Sequence, residues 1–322
     1  MEILLLDELA ADARQWLGAR YQVQDRRELL QDLSALRSAL YKTDALVAPT
    51  ALRINSQLLD FAPRLTVVGR LHEGGDNIDF EACQRRGVRV VQAASASTRA
   101  TVEYLLASLL NLFRLGSGLL RGYRAQGPIP LGREINDSVV GLFGMSPPAQ
   151  LLAPMLVALG ARVVGYDPAV HRSADLWARL GVQPLPLMEM LETADAVSMQ
   201  TVYASRYRGL VNDRVLASCR PGQLWASVSR ASLFDLPALA RALQSGRIAA
   251  FWMDSDDPVL NQSGEVLRGL PNLHLTPRWG PRTRESQLRG SWYLADRLHQ
   301  TLEATSRRGS WSGPNSVPMS LG

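Results

Sequence analysis

The stretch VVGLFGMSPPA, residues 139–149, is the first place in the chain where residue types and spacing point to chemistry. Gly144, Ser146 and Ala149 occupy the three key positions of a G-x-G-x-x-G turn, with Ser replacing the second glycine and a tolerated Ala at the third. Asp167 follows Gly144 by 23 residues, close to the ~20 at which an acid binds the adenosine ribose hydroxyls. An acid there favours NAD over NADP, because a 2′-phosphate would meet like charge. The spacing therefore predicts NAD as the cofactor.

The start of the helix after this turn departs from the usual phosphate site. Ser146 followed by Pro147 predicts an N-cap and a proline at the first helical position. Pro147 and Pro148, however, have no N–H to donate to a pyrophosphate. Losing up to two charge-assisted hydrogen bonds, at roughly 1.5 to 3 kcal/mol each, is expected to weaken cofactor binding by two or three orders of magnitude. Ser146 Oγ or a nearby arginine could offset part of this loss, so a retained cofactor and a fold without one both stay open.

The elements that would position this turn follow from short apolar runs that alternate with segments of helical period. Strands are predicted at residues 2–6, 44–48, 65–68 and 88–91, and in a second series at 138–144, 161–167, 195–200, 223–229, 248–254 and 272–277. A helix is predicted from about Arg284 to Ala304, after the last strand. The pattern predicts two α/β units with mainly parallel sheets, and the last helix could return to the first unit.

Composition limits the partners of the chain. The formal net charge is +5, but basic residues are scattered through every segment, so we expect no nucleic-acid partner. The longest apolar stretch, residues 101–120, contains Glu103 and Arg114, which favours a buried helix over a membrane span. Cys83 and Cys219 form neither a metal-ligand spacing nor a disulfide framework. We therefore expect a cytoplasmic protein with no metal site and no membrane partner.

Several segments together resemble the D-isomer-specific 2-hydroxyacid dehydrogenases, in order and spacing, from about Leu65 to Glu285. They include DNIDFEACQRRGVRVV at 76–91, STRATVEYLLASLL at 97–110, VVGYDP at 163–168, ADAVSMQ at 194–200, RPGQLWASVSRASLFDLPAL at 220–239 and LTPRWGPRT at 275–283. The resemblance implies two Rossmann-like parallel-sheet domains, one flavodoxin-like and one NAD-binding, with a cleft between them that holds the active site. It assigns residues 1–97 plus 288–322 to a substrate domain and 98–287 to a dinucleotide-binding domain. It also implies a homodimer built around the cofactor domains.

The resemblance implies roles for three residues of the second unit. Arg230 matches the arginine that holds the substrate carboxylate and carbonyl, which suits a permanently charged, forked donor. Asp254 matches a contact to the nicotinamide carboxamide. Asp257, before Pro258, stands where the family has a glutamate. The segment MDSDDP is about two residues shorter than the corresponding segment of the family. Asp256 and Asp257 are therefore both candidates for the catalytic acid.

Arg278 stands where the family carries its proton-transferring histidine. That role needs a group that gains and loses a proton near the working pH, which an arginine cannot do. Arg278 could instead bind an anion or polarise a carbonyl. Across the expected cleft, the glycine-rich carboxylate loop of the family reads His72, Glu73 and Gly74. His72 is therefore either a relocated acid-base group or a loop histidine satisfied by local backbone.

These departures leave two functions open. The favoured interpretation is an NAD-dependent oxidoreductase that transfers hydride to or from an unusual, small anionic substrate of the 2-oxo or 2-hydroxy acid type. Positioned acid-base catalysis contributes roughly 10²- to 10⁴-fold, whereas orientation alone can contribute ~7 to 11 kcal/mol, so loss of the histidine need not abolish turnover. The alternative is a catalytically impaired family member that acts as a binding or regulatory protein.

Overall fold

The structure is a computed structural model that describes residues 1–71, 77–120 and 131–309, and it contains two compact units. Unit 1 combines Met1–Ser97 with Arg284–Gly322, and unit 2 is Thr98–Thr283. The strands within the described residues are β1 (Glu2–Leu5), β2 (Gln22–Asp25), β3 (Ala45–Val47), β4 (Val67–Arg70), β5 (Arg89–Gln92), β6 (Val139–Phe143), β7 (Arg162–Tyr166), β8 (Gln183–Pro184), β9 (Ala196–Met199), β10 (Gln223–Ser227), β11 (Ile248–Asp254) and β12 (Leu273–Thr276).

The α-helices of the same ranges follow the alternation that the sequence predicts. They are α1 (Ala11–Gly18), α2 (Leu33–Leu40), α3 (Ser56–Leu59), α4 (Phe80–Arg85), α5 (Thr98–Leu120), α6 (Pro147–Ala158), α7 (Asp175–Arg179), α8 (Leu187–Thr193), α9 (Asp213–Ala217), α10 (Leu236–Gln244), α11 (Val259–Ser263) and α12 (Arg284–Gly309).

Unit 1 contains a five-stranded parallel sheet in the order β2-β1-β3-β4-β5, which is the flavodoxin-like order. Successive residues of β1 point to opposite faces: Leu4 packs in one apolar cluster, and Ile3 and Leu5 pack in another. The second cluster includes Leu298 of α12, so the last helix completes the core of the unit that begins the chain.

Unit 2 contains a seven-stranded parallel sheet in the order β12-β11-β10-β9-β6-β7-β8. Numbered within the unit, this is the dinucleotide-binding order 3-2-1-4-5-6 with one added strand at the far edge. The order reverses where β6 pairs with β9, and ligands of such sheets bind outside the carboxyl ends of the strands at that point. The prediction of two parallel-sheet α/β units is therefore confirmed.

Two strands, β2 and β8, have no counterpart among the predicted strands. Both lie at a sheet edge, and neither contains a fully buried residue. An edge strand pairs on one side and faces solvent, so it lacks the continuous apolar run by which central parallel strands are recognised.

Residues 1–71, 77–120 and 131–309 offer neither a membrane span nor a metal centre. None of the helices there has the length and apolarity needed to cross a bilayer. Nor do those residues include a group of three or more His, Cys, Asp or Glu side chains that could hold a metal ion.

Candidate active site

The turn after β6 requires glycine at its first position. Gly144 has φ of 99°, in the region that L side chains rarely adopt, and its N–H donates to Tyr166 O at 2.7 Å. A Cβ at this position would lie 2.7 Å from the backbone N and Cα of Thr201, which follows β9. The turn therefore lies directly against the end of β9, at the point where the strand order reverses.

The helix α6 begins as the sequence predicts, at Pro147 with Ser146 in the N-cap position. The expected side-chain cap does not form: Pro148 has no N–H to donate, and Ser146 Oγ accepts no hydrogen bond from the helix. Ser146 Oγ is instead buried without a hydrogen-bond partner in the described part of the chain. A buried hydroxyl in this state indicates an absent partner, and an oxygen of a bound phosphate is one group that could accept its hydrogen.

Asp167 follows β7 and closes the turn from the other side. Its Oδ2 accepts the N–H of Met145 at 2.6 Å, and its Oδ1 accepts the N–H of Ala169 at 2.7 Å. Each carboxylate oxygen has a second lone pair, so both can still accept a hydroxyl. Asp167 is half-buried, and its place beside the glycine turn suits the ribose contact that the spacing predicts.

Arg278 lies in a strained turn just after β12. Its φ is 57°, in the left-handed region that is uncommon for a residue other than glycine, and its N–H donates to Thr276 O at 3.0 Å. Its guanidinium lies 3.6 Å from a carboxylate oxygen of Asp256, and its side chain is 32% exposed. The backbone of the turn thus directs a partly exposed cation toward the carboxyl edge of the sheet.

Asp254 holds this turn in place from the end of β11. Its buried carboxylate accepts the N–H of Trp279 at 2.7 Å, the N–H of Gly280 at 2.8 Å and the hydroxyl of Thr276 at 2.5 Å. Both residues that follow Arg278 are therefore fixed by one carboxylate. The structure places Asp254 next to the turn that carries Arg278, and its carboxylate oxygens accept hydrogen bonds from that turn and from Thr276.

Tyr104 on α5 extends this network, and the sequence analysis did not single it out. Thr276 donates to Asp254, so the hydroxyl of Tyr104 donates to Thr276, and Trp252 Nε1 donates to Tyr104 Oη at 2.8 Å. Burial raises the pKa of Tyr104, which keeps the hydroxyl protonated as a donor. The sequence feature that could have indicated this residue is a single tyrosine on a helix of mostly apolar residues.

Arg230 follows β10 and is half-buried at the same edge of the sheet. Its guanidinium carbon lies 5.2 Å from the centre of the Tyr203 ring, within the range of a cation-π contact. Arg230, Asp254 and Arg278 thus all lie at the carboxyl ends of neighbouring strands of unit 2.

Asp257 anchors the turn that carries Arg230. Its carboxylate accepts the N–H of Ser232 at 2.9 Å, the Ser232 hydroxyl and the N–H of Val259 at 3.1 Å. Burial alone would raise the pKa of Asp257, but these hydrogen bonds and nearby Arg230 outweigh it and lower the pKa. The side chain is an ionised structural group, and Asp256 is the neighbour that faces Arg278.

His72 lies outside the described residues, as do Glu73 and Gly74. Next to that segment, unit 1 has a charged residue that sequence reasoning missed. Arg70 at the end of β4 is fully buried, and its Nη2 donates to Leu52 O at 3.2 Å. Within the described part of unit 1, its Nε and Nη1 find no partner, and burial lowers its pKa. The sequence feature that could have indicated this residue is an arginine at the end of an apolar strand.

Comparison with known proteins supports the assignment of unit 2. The family model described as D-isomer specific 2-hydroxyacid dehydrogenase, NAD binding domain, matches residues 103–280. Among solved structures, the TT0316 protein from Thermus thermophilus has a TM-score of 0.83 at 28% identity, over 94% of this chain and 97% of that one.

Curated relatives agree with the family model. The D-3-phosphoglycerate dehydrogenase of Mycobacterium bovis is 31% identical over 93% of this chain, which spans only 56% of the length of that relative. The (S)-sulfolactate dehydrogenase of Chromohalobacter salexigens is 31% identical over 87% of this chain and 89% of that protein. The chain therefore belongs to the D-isomer specific 2-hydroxyacid dehydrogenase family and contains its NAD-binding domain.

Proposed function

We propose that this protein is an NAD-dependent oxidoreductase that interconverts an anionic 2-oxo acid and the corresponding 2-hydroxy acid. The observation that carries the proposal is the carboxyl edge of the unit 2 sheet. There, a turn that only glycine can make and an acid at the ribose position lie on the same edge as two arginines. Such an edge, at the reversal of strand order, is where ligands of doubly wound sheets bind.

The residues of the turn fit a dinucleotide. Gly144 allows the tight turn to pack against Thr201, where a Cβ would lie 2.7 Å from the backbone. Ser146 Oγ is a buried hydroxyl without a partner among the described residues, and Asp167 retains lone pairs for the ribose. The prolines reduce the donors at the helix start, where Ala149 supplies the first N–H of α6. When bound, NAD donates or accepts the hydride of the reaction.

The two arginines would select the substrate. Arg230 can hold a carboxylate with two parallel hydrogen bonds, and Tyr203 supports its guanidinium. Arg278 adds a second permanent cation, suited to an acidic group or to polarising the carbonyl. The relatives D-3-phosphoglycerate and (S)-sulfolactate dehydrogenase are named for 2-hydroxy acids with a second acidic group, which supports this class of substrate.

The proton cannot come from Arg278, because a guanidinium keeps its proton at working pH. A water molecule held at the site, or His72 outside the described residues, would move the proton instead.

We also propose a cytoplasmic homodimer. Buried free thiols of Cys83 and Cys219 fit a reducing compartment, and half-exposed Leu110 and Leu159 of unit 2 line a groove that a second copy could cover.

Titration of the purified protein with NADH, followed by cofactor fluorescence, tests the first step of this proposal. Binding at submillimolar concentration is expected, and oxidation of NADH with a panel of 2-oxo acids tests turnover. No binding up to several millimolar would instead favour the catalytically impaired, regulatory member, an alternative supported by Arg278 and the proline pair. Gly144→Ala is the negative control, because the added Cβ would lie 2.7 Å from the Thr201 backbone and displace the turn.

A further inference from the structure

The carboxylates of three aspartates within four residues have different environments. Asp254 and Asp257 accept backbone N–H groups of distant segments, and both are buried. Asp256, between them, is 57% exposed and faces the guanidinium of Arg278 at 3.6 Å. Among the described residues, Asp256 therefore pairs with the side chain of Arg278, whereas its two neighbours accept backbone N–H groups.

Arg278 can change partners only by moving its side chain. Its own N–H is bonded to Thr276 O, and the next two N–H groups are held by Asp254. The backbone is therefore fixed in its left-handed conformation, while the guanidinium is at the end of a long side chain that is 32% exposed. An anion arriving at this edge would compete directly with Asp256 for the same cation.

We propose that Asp256 is a specificity-determining residue that acts as a built-in competitor at the substrate site. Its carboxylate occupies the guanidinium of Arg278 until a second acidic group of the substrate displaces it. This inference rests on the proposed function, in which Arg278 faces the substrate. An acid with one carboxylate, bound by Arg230, gains nothing from displacing Asp256, whereas a diacid does.

The size of the effect follows from the exposure of the pair. Exposed ion pairs shift an equilibrium by up to about fivefold, and salt weakens them. The competitor therefore lowers the affinity for a diacid by about two- to fivefold, which an incoming carboxylate can overcome. A stronger, buried pair would exclude the diacid altogether.

Glycolate and tartronate are suitable probes, because they are 2-hydroxy acids that differ by one carboxylate. Calorimetry would measure their dissociation constants with and without saturating NADH, for the parent, Asp256→Asn, Arg278→Gln and the double variant. Asp256→Asn is expected to tighten tartronate binding two- to fivefold and to change glycolate binding less. Arg278→Gln is expected to bring tartronate to the affinity of glycolate, and adding Asp256→Asn should then have no further effect.

Glu265→Gln is the matched control, because it also removes one exposed negative charge of unit 2 but contacts Arg268. If Asp256→Asn tightens tartronate equally in the Arg278→Gln background, or no more than Glu265→Gln does, the inference is overturned. Unchanged tartronate binding in Asp256→Asn, or no binding of tartronate by the parent, also overturns it. Absence of NADH binding would instead overturn the proposed function, since the anion titrations without NADH report on Asp256 independently.

Discussion

Arg278 is the residue at which this chain departs most from the chemistry of its family. The resemblance assigns its position to a histidine that exchanges a proton with the substrate, and an arginine supplies charge without that exchange. Its conformation does not require arginine, because the turn is held by backbone groups and by Asp254. The scaffold around it should accept another side chain.

We therefore predict that Arg278→His increases turnover with simple 2-oxo acids by about 10²-fold or more, within the usual range for a positioned general acid. The rate of NADH oxidation at fixed protein concentration measures this change. Arg278→Gln is the control, because it removes the charge without adding a titratable group. Equal rates for the two variants would show that the site lacks more than its proton donor.

Asp257 gives a prediction about stability and pH. Asp257→Asn replaces an acceptor of three hydrogen bonds with an amide that cannot accept all of them, so the free energy of unfolding should fall by about 1 to 3 kcal/mol at neutral pH. The pKa of Asp257 is lower in the folded protein than its unfolded value of about 4. The ionised carboxylate therefore stabilises the fold fully at pH values above the unfolded pKa, and this stabilisation is lost as the pH falls through the folded pKa. Urea unfolding at neutral pH and below pH ~4 measures both effects.

The difference between the parent and Asp257→Asn should therefore shrink in acid. Asp256→Asn is the control at neutral pH, because its side chain is exposed and makes no comparable set of bonds within the described residues. A difference that grows as the pH falls would contradict the assignment of Asp257 as an ionised anchor.

At the scale of elements, we expect the start of α6 to control cofactor affinity. Replacing Pro147 and Pro148 together by alanine restores two N–H donors at the helix N-terminus, and NADH should bind about a hundredfold to a thousandfold more tightly. Pro154→Ala is the matched control, because it changes a proline inside the same helix but leaves the N-terminus unchanged. Fluorescence titration with NADH compares the three proteins. Equal tightening by the control would show that helix stability, and not the donors, sets the affinity.

The elements themselves were largely predictable from sequence, with instructive exceptions. Ten of the strands follow apolar runs, whereas β2 and β8 do not, because an edge strand needs burial on fewer sides. The N-cap position of Ser146 was predictable, but its lack of a cap bond was not. That bond depends on where the hydroxyl points once the turn is packed.

At the scale of the whole molecule, each unit has its own apolar core. In unit 1 the chain returns after unit 2, and α12 packs over β4, with Leu294 and Leu298 lying against Gly69. Leu298 is fully buried there. Its contacts belong to unit 1, whereas the residues proposed to hold NAD belong to unit 2.

We predict that Leu298→Ala lowers the stability of unit 1 by about 2 to 5 kcal/mol, the usual cost of such a cavity, and leaves NADH affinity unchanged. Thermal unfolding together with NADH titration below the unfolding temperature measures both. Leu288→Ala, at a position of the same helix that is 44% exposed, should change neither. Loss of NADH binding in folded Leu298→Ala would show that the two cores are not independent.

The sequence by itself determined the alternation of strands and helices, the glycine turn with its acid, and the replacement of a histidine by Arg278. These features are local: they depend on periodicity, on spacing along one segment, or on the identity of a single residue. The division into two parallel-sheet units followed from them.

Only the tertiary structure decided which partners the carboxylates of Asp254, Asp256 and Asp257 contact. Asp254 accepts bonds from Trp279 and Gly280, Asp256 pairs with Arg278, and Asp257 accepts a bond from Ser232. Each partner lies 22 to 26 positions away in the chain, and neighbouring parallel strands bring the two together. Within one short acidic segment, no local pattern distinguishes a carboxylate that will hold backbone from one that will face a cation. Side-chain direction and burial make that distinction, and both arise from packing across the sheet.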